Sequence, residues 1–270
     1  MNISRRPKWF INHLYRKYYN IVNKHAKVCF LHVPKTGGTY IGQLDSTAKP
    51  VIYPINYLGH SVVVNNPLDI TDEFPPSGGY KKSNFILKES LKNKTVITVV
   101  RNPFDWLVSY VGFAAGWNDK FMNKSHVDFD ICSKGFDYAA KTILNRDTIW
   151  PSQRFLHFQL FSSDGDFIPD YILRNESLDS DLNDLSTKFN LKYVQRTKQK
   201  VGNRRDYREY YDDALIDLVN TRWGRDLDLF GYDFDGVLHN KITNRELSSL
   251  EKSSITYRYS QDDLIFSDNR

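Results

Sequence analysis

The sequence predicts an α/β fold, a three-layer arrangement of a central parallel sheet flanked by helices, on three observations. Short apolar, β-branched runs alternate along the chain with stretches of helical periodicity, the pattern of parallel strands joined by crossover helices. The two clearest runs, 27–33 and 94–100, each lead straight into a tight turn and a helix start. No internal repeat interrupts this order.

The elements follow in turn. Residues 27–33 (KVCFLHV) read as a buried strand that Pro34 ends. Residues 39–46 can start a helix. The β-branched runs within 51–64 read as short strands around Gly59-His60, and 65–90, with its Pro75-Pro76 and Gly78-Gly79 breakers, as loop and short helix. Residues 94–100 (KTVITVV) are a strand. A helix should begin immediately afterwards: Asn102 can cap it, Pro103 suits its first position, and Asp105 falls in the first turn, where the helix dipole favours a carboxylate. Residues 136–147 and 178–189 carry one-sided apolar spacing and predict helices. Residues 167–174 predict another strand, and 206–230 a single long helix. Beyond 238 the chain turns polar and loses periodicity. The organisation expected is a basic helical extension at 1–26, one domain at 27–238, and a polar tail at 239–270.

Composition narrows the class. A chain of 270 residues with 40% apolar and 14% aromatic residues can bury a large core, roughly 75% of its unfolded surface. Thirty-seven Lys and Arg against 32 Asp and Glu give a formal charge of +5, a mild excess that favours anionic ligands. Two cysteines are too few for a disulfide framework or a zinc cluster. No run approaches the roughly 20 apolar residues that span a bilayer, and no leader is visible, so the expectation is a cytoplasmic protein. The sequons at Asn93 and Asn175 then carry no sugar. Residues 1–27 hold seven Lys or Arg and no acid, with interleaved aromatics. They read either as a helix packed on the domain or as a peripheral contact with an anionic membrane surface.

Chemistry concentrates at the two strand–turn–helix junctions. At Pro34-Lys35-Thr36-Gly37-Gly38-Thr39-Tyr40 the two glycines let backbone approach an anion, the incoming helix offers free N–H groups, Lys35 adds a charge, and Thr36 and Thr39 add hydroxyls. This is phosphate-cradle logic without the Walker A spacing. The bland alternative is an ordinary βα turn. At Arg101-Asn102-Pro103-Phe104-Asp105-Trp106-Leu107-Val108-Ser109, Arg101 ends a strand and Ser109 follows about two helical turns later, so the two could clamp a second phosphate. Alternatively Arg101 pairs with Asp105, and Ser109 is simply small.

Taken together, these segments resemble the 5'-phosphosulfate loop and the 3'-phosphate motif of sulfotransferases that use 3'-phosphoadenosine 5'-phosphosulfate (PAPS). Their order and their separation of about 65 residues fit. The Lys-Thr-Gly-Gly-Thr loop is similar to that of the carbohydrate-directed branch. Looser resemblance continues through Tyr171–Leu178, Tyr207–Tyr211 and Leu229–Tyr232. The resemblance implies a P-loop-like fold and a donor site in which Lys35, Thr36, Gly37, Gly38, Thr39 and Tyr40 meet the 5'-phosphosulfate while Arg101 and Ser109 hold the 3'-phosphate. PAP would be the nucleotide product. Lys35 would also stabilise charge during direct in-line transfer, with no metal required. One departure is Trp106, where the family often has arginine. That position is expected to point along the helix, with little effect on donor binding.

Transfer to a hydroxyl needs a base. His60 is the candidate, in the Gly-His pair that related enzymes often show between the two motifs. A hydrogen-bonded structural histidine is the alternative. His32, just before Pro34, is the rival base, and its place on a strand suits packing or orienting the loop; Glu176 is a weaker base or acceptor contact. Gln153 matches a glutamine of related enzymes and could line the acceptor site. Residues 192–205 carry six Lys or Arg and no acid. They read as a solvated loop, as a segment whose Arg204 and Arg205 close over the donor, or as a patch for an anionic glycan. The acceptor implied is a hydroxyl-bearing glycan. No RNA-binding signature accompanies the charge, so no nucleic-acid partner is expected, and the sequence leaves oligomeric state open. The competing functions are a non-catalytic relative that only binds PAP or another nucleotide, a phosphoryl-transfer P-loop enzyme, and a phosphatase suggested by Asp233-Phe234-Asp235-Gly236. That last motif would have to open a domain, yet only a short stretch of chain follows it.

Overall fold

The computed structural model describes residues 26–37, 40–41, 52–53, 56–59, 62–64, 85–117, 128–145, 156–195, 204–238 and 242–256. Gly38, Thr39, His60, Gln153, the extension at 1–25 and the helix expected at 39–46, apart from Tyr40 and Ile41, lie outside them.

The centre is a four-stranded parallel sheet. Its strands are β1 (Val28–Leu31), β3 (Asn56–Gly59), β6 (Thr95–Val100) and β7 (Tyr171–Arg174), in the order β3-β1-β6-β7. Two small pairs accompany it: β2 (Ile52–Tyr53) runs antiparallel to β8 (Lys192–Tyr193), and β4 (Val62–Val64) parallel to β5 (Phe85–Leu87). The helices are α1 (Pro103–Ala114), α2 (Phe129–Cys132), α3 (Phe136–Asn145), α4 (Leu178–Lys188), α5 (Asp213–Phe230) and α6 (Ser249–Ser254).

Strand alternation explains the layers, because successive side chains face opposite sides of a sheet. Cys29, Leu31, Val96 and Val100 point to one face, where they meet Leu107, Val108 and Val111 of α1 and Val219 and Trp223 of α5. Phe30, Ile97, Val99 and Leu173 point to the other, against Leu178, Leu182 and Leu185 of α4. With apolar residues on both faces, the strands read as the near-continuous apolar runs expected of a covered parallel sheet.

Register places the functional loops. Leu31 pairs with Thr98 and Val100 with Arg174, so β1, β6 and β7 end at the same edge. The segments at 32–37, 101–105 and 175–177 therefore emerge side by side at the carboxyl ends of parallel strands, the usual crevice of open α/β sheets. The start of α1 forms as its sequence requires. The Asn102 side chain accepts from the Phe104 N–H at 3.0 Å, and Pro103 occupies the first turn, where a missing N–H costs nothing.

The expected single helix over 206–230 is corrected. A 3-10 turn occupies Tyr207–Tyr210, Tyr211 is extended, and α5 starts only at Asp213. Two aspartates cause the break: Asp206 accepts from the Arg208 N–H, and Asp212 accepts from the Leu215 N–H at 2.8 Å, each capping its own start. The Tyr211 hydroxyl also donates to the Phe104 carbonyl at 2.7 Å, which draws the chain away from a continuous helix. The strand expected at 167–174 shortens to Tyr171–Arg174, because Pro169 has no N–H for the ladder. Residues 242–256 run along the outer edge of β7: the Asn244 and Leu247 N–H groups donate to the Ile172 and Asp170 carbonyls at 2.7 and 2.9 Å. Lys252 then caps Asp170 at 2.5 Å. An otherwise open sheet edge is covered in this way.

Candidate active site

The site begins with the backbone of the loop after β1. Its carbonyls are held by donors from elsewhere in the chain. Trp106 Nε1 donates to the Pro34 carbonyl at 2.8 Å, Arg101 Nη1 to that of Lys35 at 2.9 Å, and Asn175 Nδ2 to that of Thr36 at 3.0 Å. The Tyr40 N–H donates to the Gly37 carbonyl at 2.8 Å as the chain enters a helical turn. With the carbonyls committed, no described residue accepts from the N–H groups of Lys35, Thr36 or Gly37. Positive φ at Lys35 (63°) and Gly37 (96°), either side of Thr36, gives the alternating backbone of an anion-binding nest.

Three cations converge beside this loop. Arg101 grips Asp105 Oδ2 through Nε at 2.7 Å and Nη2 at 2.6 Å, while its Nη1 reaches the Lys35 carbonyl. Arg204 pairs with the other oxygen of Asp105. The Lys35 ammonium lies 4.1 Å from the centre of the Phe113 ring. Burial, with added repulsion from Arg101 and Arg204, pushes its pKa down to about 8. Ser109 is partly exposed on α1, one turn before Phe113 and on the same side of the helix.

Beneath the cations lies a fixed polar scaffold. The Arg101 N–H donates to His157 Nε2 at 3.4 Å, and His157 Nδ1 meets Asp226 Oδ1 at 2.6 Å. Nε2 is thus an acceptor, which assigns the ring proton to Nδ1, facing Asp226. Asp226 also accepts the N–H groups of Leu156 and His157, and both side chains are fully buried. The two oxygens of Glu176 accept from the Asn102 N–H and the Tyr232 hydroxyl, each at 2.8 Å. Burial first, and then the Glu176 charge, holds the Tyr232 hydroxyl well above its usual pKa, so it stays a donor.

The structure corrects several expectations, those for Trp106, Thr36, Tyr40 and Arg205, and agrees with those for His32 and Asp233. Trp106 does not simply point along its helix. It is fully buried, stacks on Tyr110 at 5.0 Å and meets Trp223 edge-on, and its N–H anchors the loop at Pro34. Thr36 offers no hydroxyl to a ligand, because it is fully buried and donates to the Val33 carbonyl at 2.8 Å. The Tyr40 hydroxyl donates to Asp179 at 2.9 Å and its N–H to Gly37, which leaves neither group for the loop's open side. Arg205 turns away from the cation cluster, over the Tyr210 ring at 5.0 Å. His32 stacks on Phe30 with ring centres 5.7 Å apart, as a packing residue would. Asp233 accepts from the Gly236 N–H at 2.8 Å in a turn that follows α5, not a buried strand, so the phosphatase motif lacks its context.

Sequence reasoning missed His157, Asp226, Asn175 and Phe113. Asn175 lies within the Tyr171–Leu178 segment and Phe113 just beyond the Arg101–Ser109 motif, so both were open to discovery. His157 and Asp226 carried no local signal.

Among the described residues, no group of three His, Cys, Asp or Glu side chains is arranged to hold a metal ion, and no helix is long and apolar enough to cross a membrane. A family profile described as the sulfotransferase family matches residues 18–233, well over half of the chain, and covers the loop, the cations and the scaffold alike. No curated protein and no solved structure gives a significant match.

Proposed function

The chain belongs to the sulfotransferase family, and from that premise we propose that it moves a sulfuryl group from PAPS to a hydroxyl, of a carbohydrate, by direct in-line displacement. The observation that carries the proposal is the convergence of Lys35, Arg101 and Arg204 on an amide-lined loop at the carboxyl ends of β1 and β6. A nucleotide with phosphates at both 3' and 5' positions needs two anion sites a ribose apart. The loop amides with Lys35 supply one, and Arg101 with Ser109 supplies the other.

In this reading the bond from sulfur to the 5'-phosphate oxygen breaks as sulfur bonds to the acceptor oxygen. Charge builds on the leaving phosphate, where Lys35 and the loop amides stand ready without reorganising. The acceptor proton passes to a base. We assign it to His60 and not to Glu176, whose two oxygens already accept from Asn102 and Tyr232. Gln153 remains our candidate acceptor contact. The carbohydrate assignment rests on the Lys-Thr-Gly-Gly-Thr loop.

Calorimetric titration with PAP, with ATP as control, tests the donor site. Micromolar PAP binding, much weaker ATP binding, and loss of the PAP signal in Arg101→Ala with its melting transition intact are expected. Equal binding of ATP and PAP would sink the proposal. PAP binding without PAP release from PAPS, across a panel of sugar hydroxyls, would make the chain a nucleotide-binding relative instead.

A further inference from the structure

Asp105 sits where a negative charge is least expected, among the three cations proposed to receive donor phosphates. Its carboxylate is divided: Oδ2 takes Arg101 at 2.6 and 2.7 Å, and Oδ1 takes Arg204. The side chain is only 14% exposed. Arg204 also reaches the Asp105 carbonyl at 3.4 Å. Further along the same segment, the Tyr211 hydroxyl binds the Phe104 carbonyl at 2.7 Å, and its ring meets the Phe104 ring edge-on at 5.4 Å. The segment from Arg204 to Tyr211 is thereby docked across the first turn of α1. Asp105 is its charged anchor, and Arg101 links that anchor to the Lys35 carbonyl.

We propose that Asp105 is a positioning residue that latches the segment beginning at Arg204 onto the donor-phosphate site and holds Arg101 and Arg204 at a shared spacing for the incoming anion. The proposal rests on the donor assignment above. Its content lies in a sign. Three cations and one carboxylate leave the cluster at +2, and removing the carboxylate raises it to +3. If Asp105 merely competed with phosphate for the arginines, neutralising it would tighten anion binding. If it positions them, neutralisation frees two long side chains whose ordering must then be met on binding, and affinity falls.

Two measurements on the full-length chain decide it. In the unliganded protein, Arg204 modification by an arginine-selective dicarbonyl is followed by peptide mass mapping, with exposed Arg225 as internal control. Asp105→Asn should speed Arg204 labelling several-fold with Arg225 unchanged, and Asp105→Glu should restore part of the protection. In calorimetry, Asp105→Asn should weaken PAP about tenfold. The double variant with Arg204→Ala should bind no more weakly than the weaker single variant, because both break one latch. Unchanged Arg204 labelling overturns the latch, as does PAP binding that is unchanged, tighter or additively weakened. If the wild-type chain does not bind PAP, the donor assignment fails and the labelling alone judges the latch. Should Asp105→Asn not fold, Asp105→Glu and Arg204→Ala carry the same comparison.

Discussion

Raising the pH through 8 removes the Lys35 charge without touching the sequence, and its consequences can be worked from the structure. Burial, then Arg101 and Arg204, bring this ammonium down to about 8 from its ordinary 10.5. A phosphate seated beside it favours the protonated form and pulls the pKa back up. Donor binding above pH 8 must therefore take up a proton. At pH 8.5 the free site is about three-quarters deprotonated, so PAP binding should absorb about that fraction of a proton. By pH 9 affinity should have dropped about tenfold from its neutral value. Calorimetry at pH 8.5 in buffers of differing ionisation enthalpy reads the uptake directly, and Lys35→Arg should abolish it. Stability must move the opposite way. Folding depresses this pKa, so between about 8 and 10.5 the unfolded chain binds more protons, and this one group makes unfolding harder as pH rises. Proton uptake near zero at pH 8.5, or PAP affinity flat to pH 9.5, would refute the placement of Lys35 against the bound anion.

Two substitutions test the loop itself. In Gly37→Ala the new Cβ would lie 2.6 Å from Asn175 Nδ2 and 3.0 Å from a Leu178 methyl, at a φ of 96° that side chains avoid. Strain of about 1–3 kcal/mol plus a lost hydrogen bond of about 1 kcal/mol should lower the melting temperature by roughly 5–10 °C and PAP affinity at least tenfold. An unchanged titration would show that the loop's shape is not needed. Trp106→Phe keeps a ring beside Tyr110 but strands the Pro34 carbonyl, so about 1–3 kcal/mol of stability should go, measured by denaturant unfolding, together with part of the PAP affinity. Wild-type PAP affinity in this variant would mean that the anchor at Pro34 is dispensable to the site.

What the sequence discloses and what it hides follow one division. The strand–turn–helix junctions are legible because their causes are local: Asn102, Pro103 and Asp105 act within two residues of the helix they start, and Gly37 answers a backbone need at its own position. The break at Tyr211 had local causes too, in Asp206 and Asp212, but apolar periodicity running through them concealed it. Thr36 could have been read inward, since a hydroxyl in a turn readily bonds a carbonyl three residues back. The rest was closed to inspection. His157 meets Asp226 across 69 residues, Trp106 meets Pro34 across 72, and Tyr40 meets Asp179 across 139. Each partner is fixed by strand order, which a pattern of short apolar runs does not encode. Three long-range contacts of this sort are of one kind. Trp106 and Asn175 donate to the Pro34 and Thr36 carbonyls, and His157 accepts from the Arg101 N–H. Lys35 and Arg101 sit in the turns after β1 and β6 and leave a motif, whereas His157 and Asp226, which brace Arg101, come from wherever the fold brings a donor or acceptor within reach. It follows that substituting His157 or Asp226, which lie in none of these motifs, should weaken PAP binding in calorimetry, and that motif matching alone would class such a variant as intact.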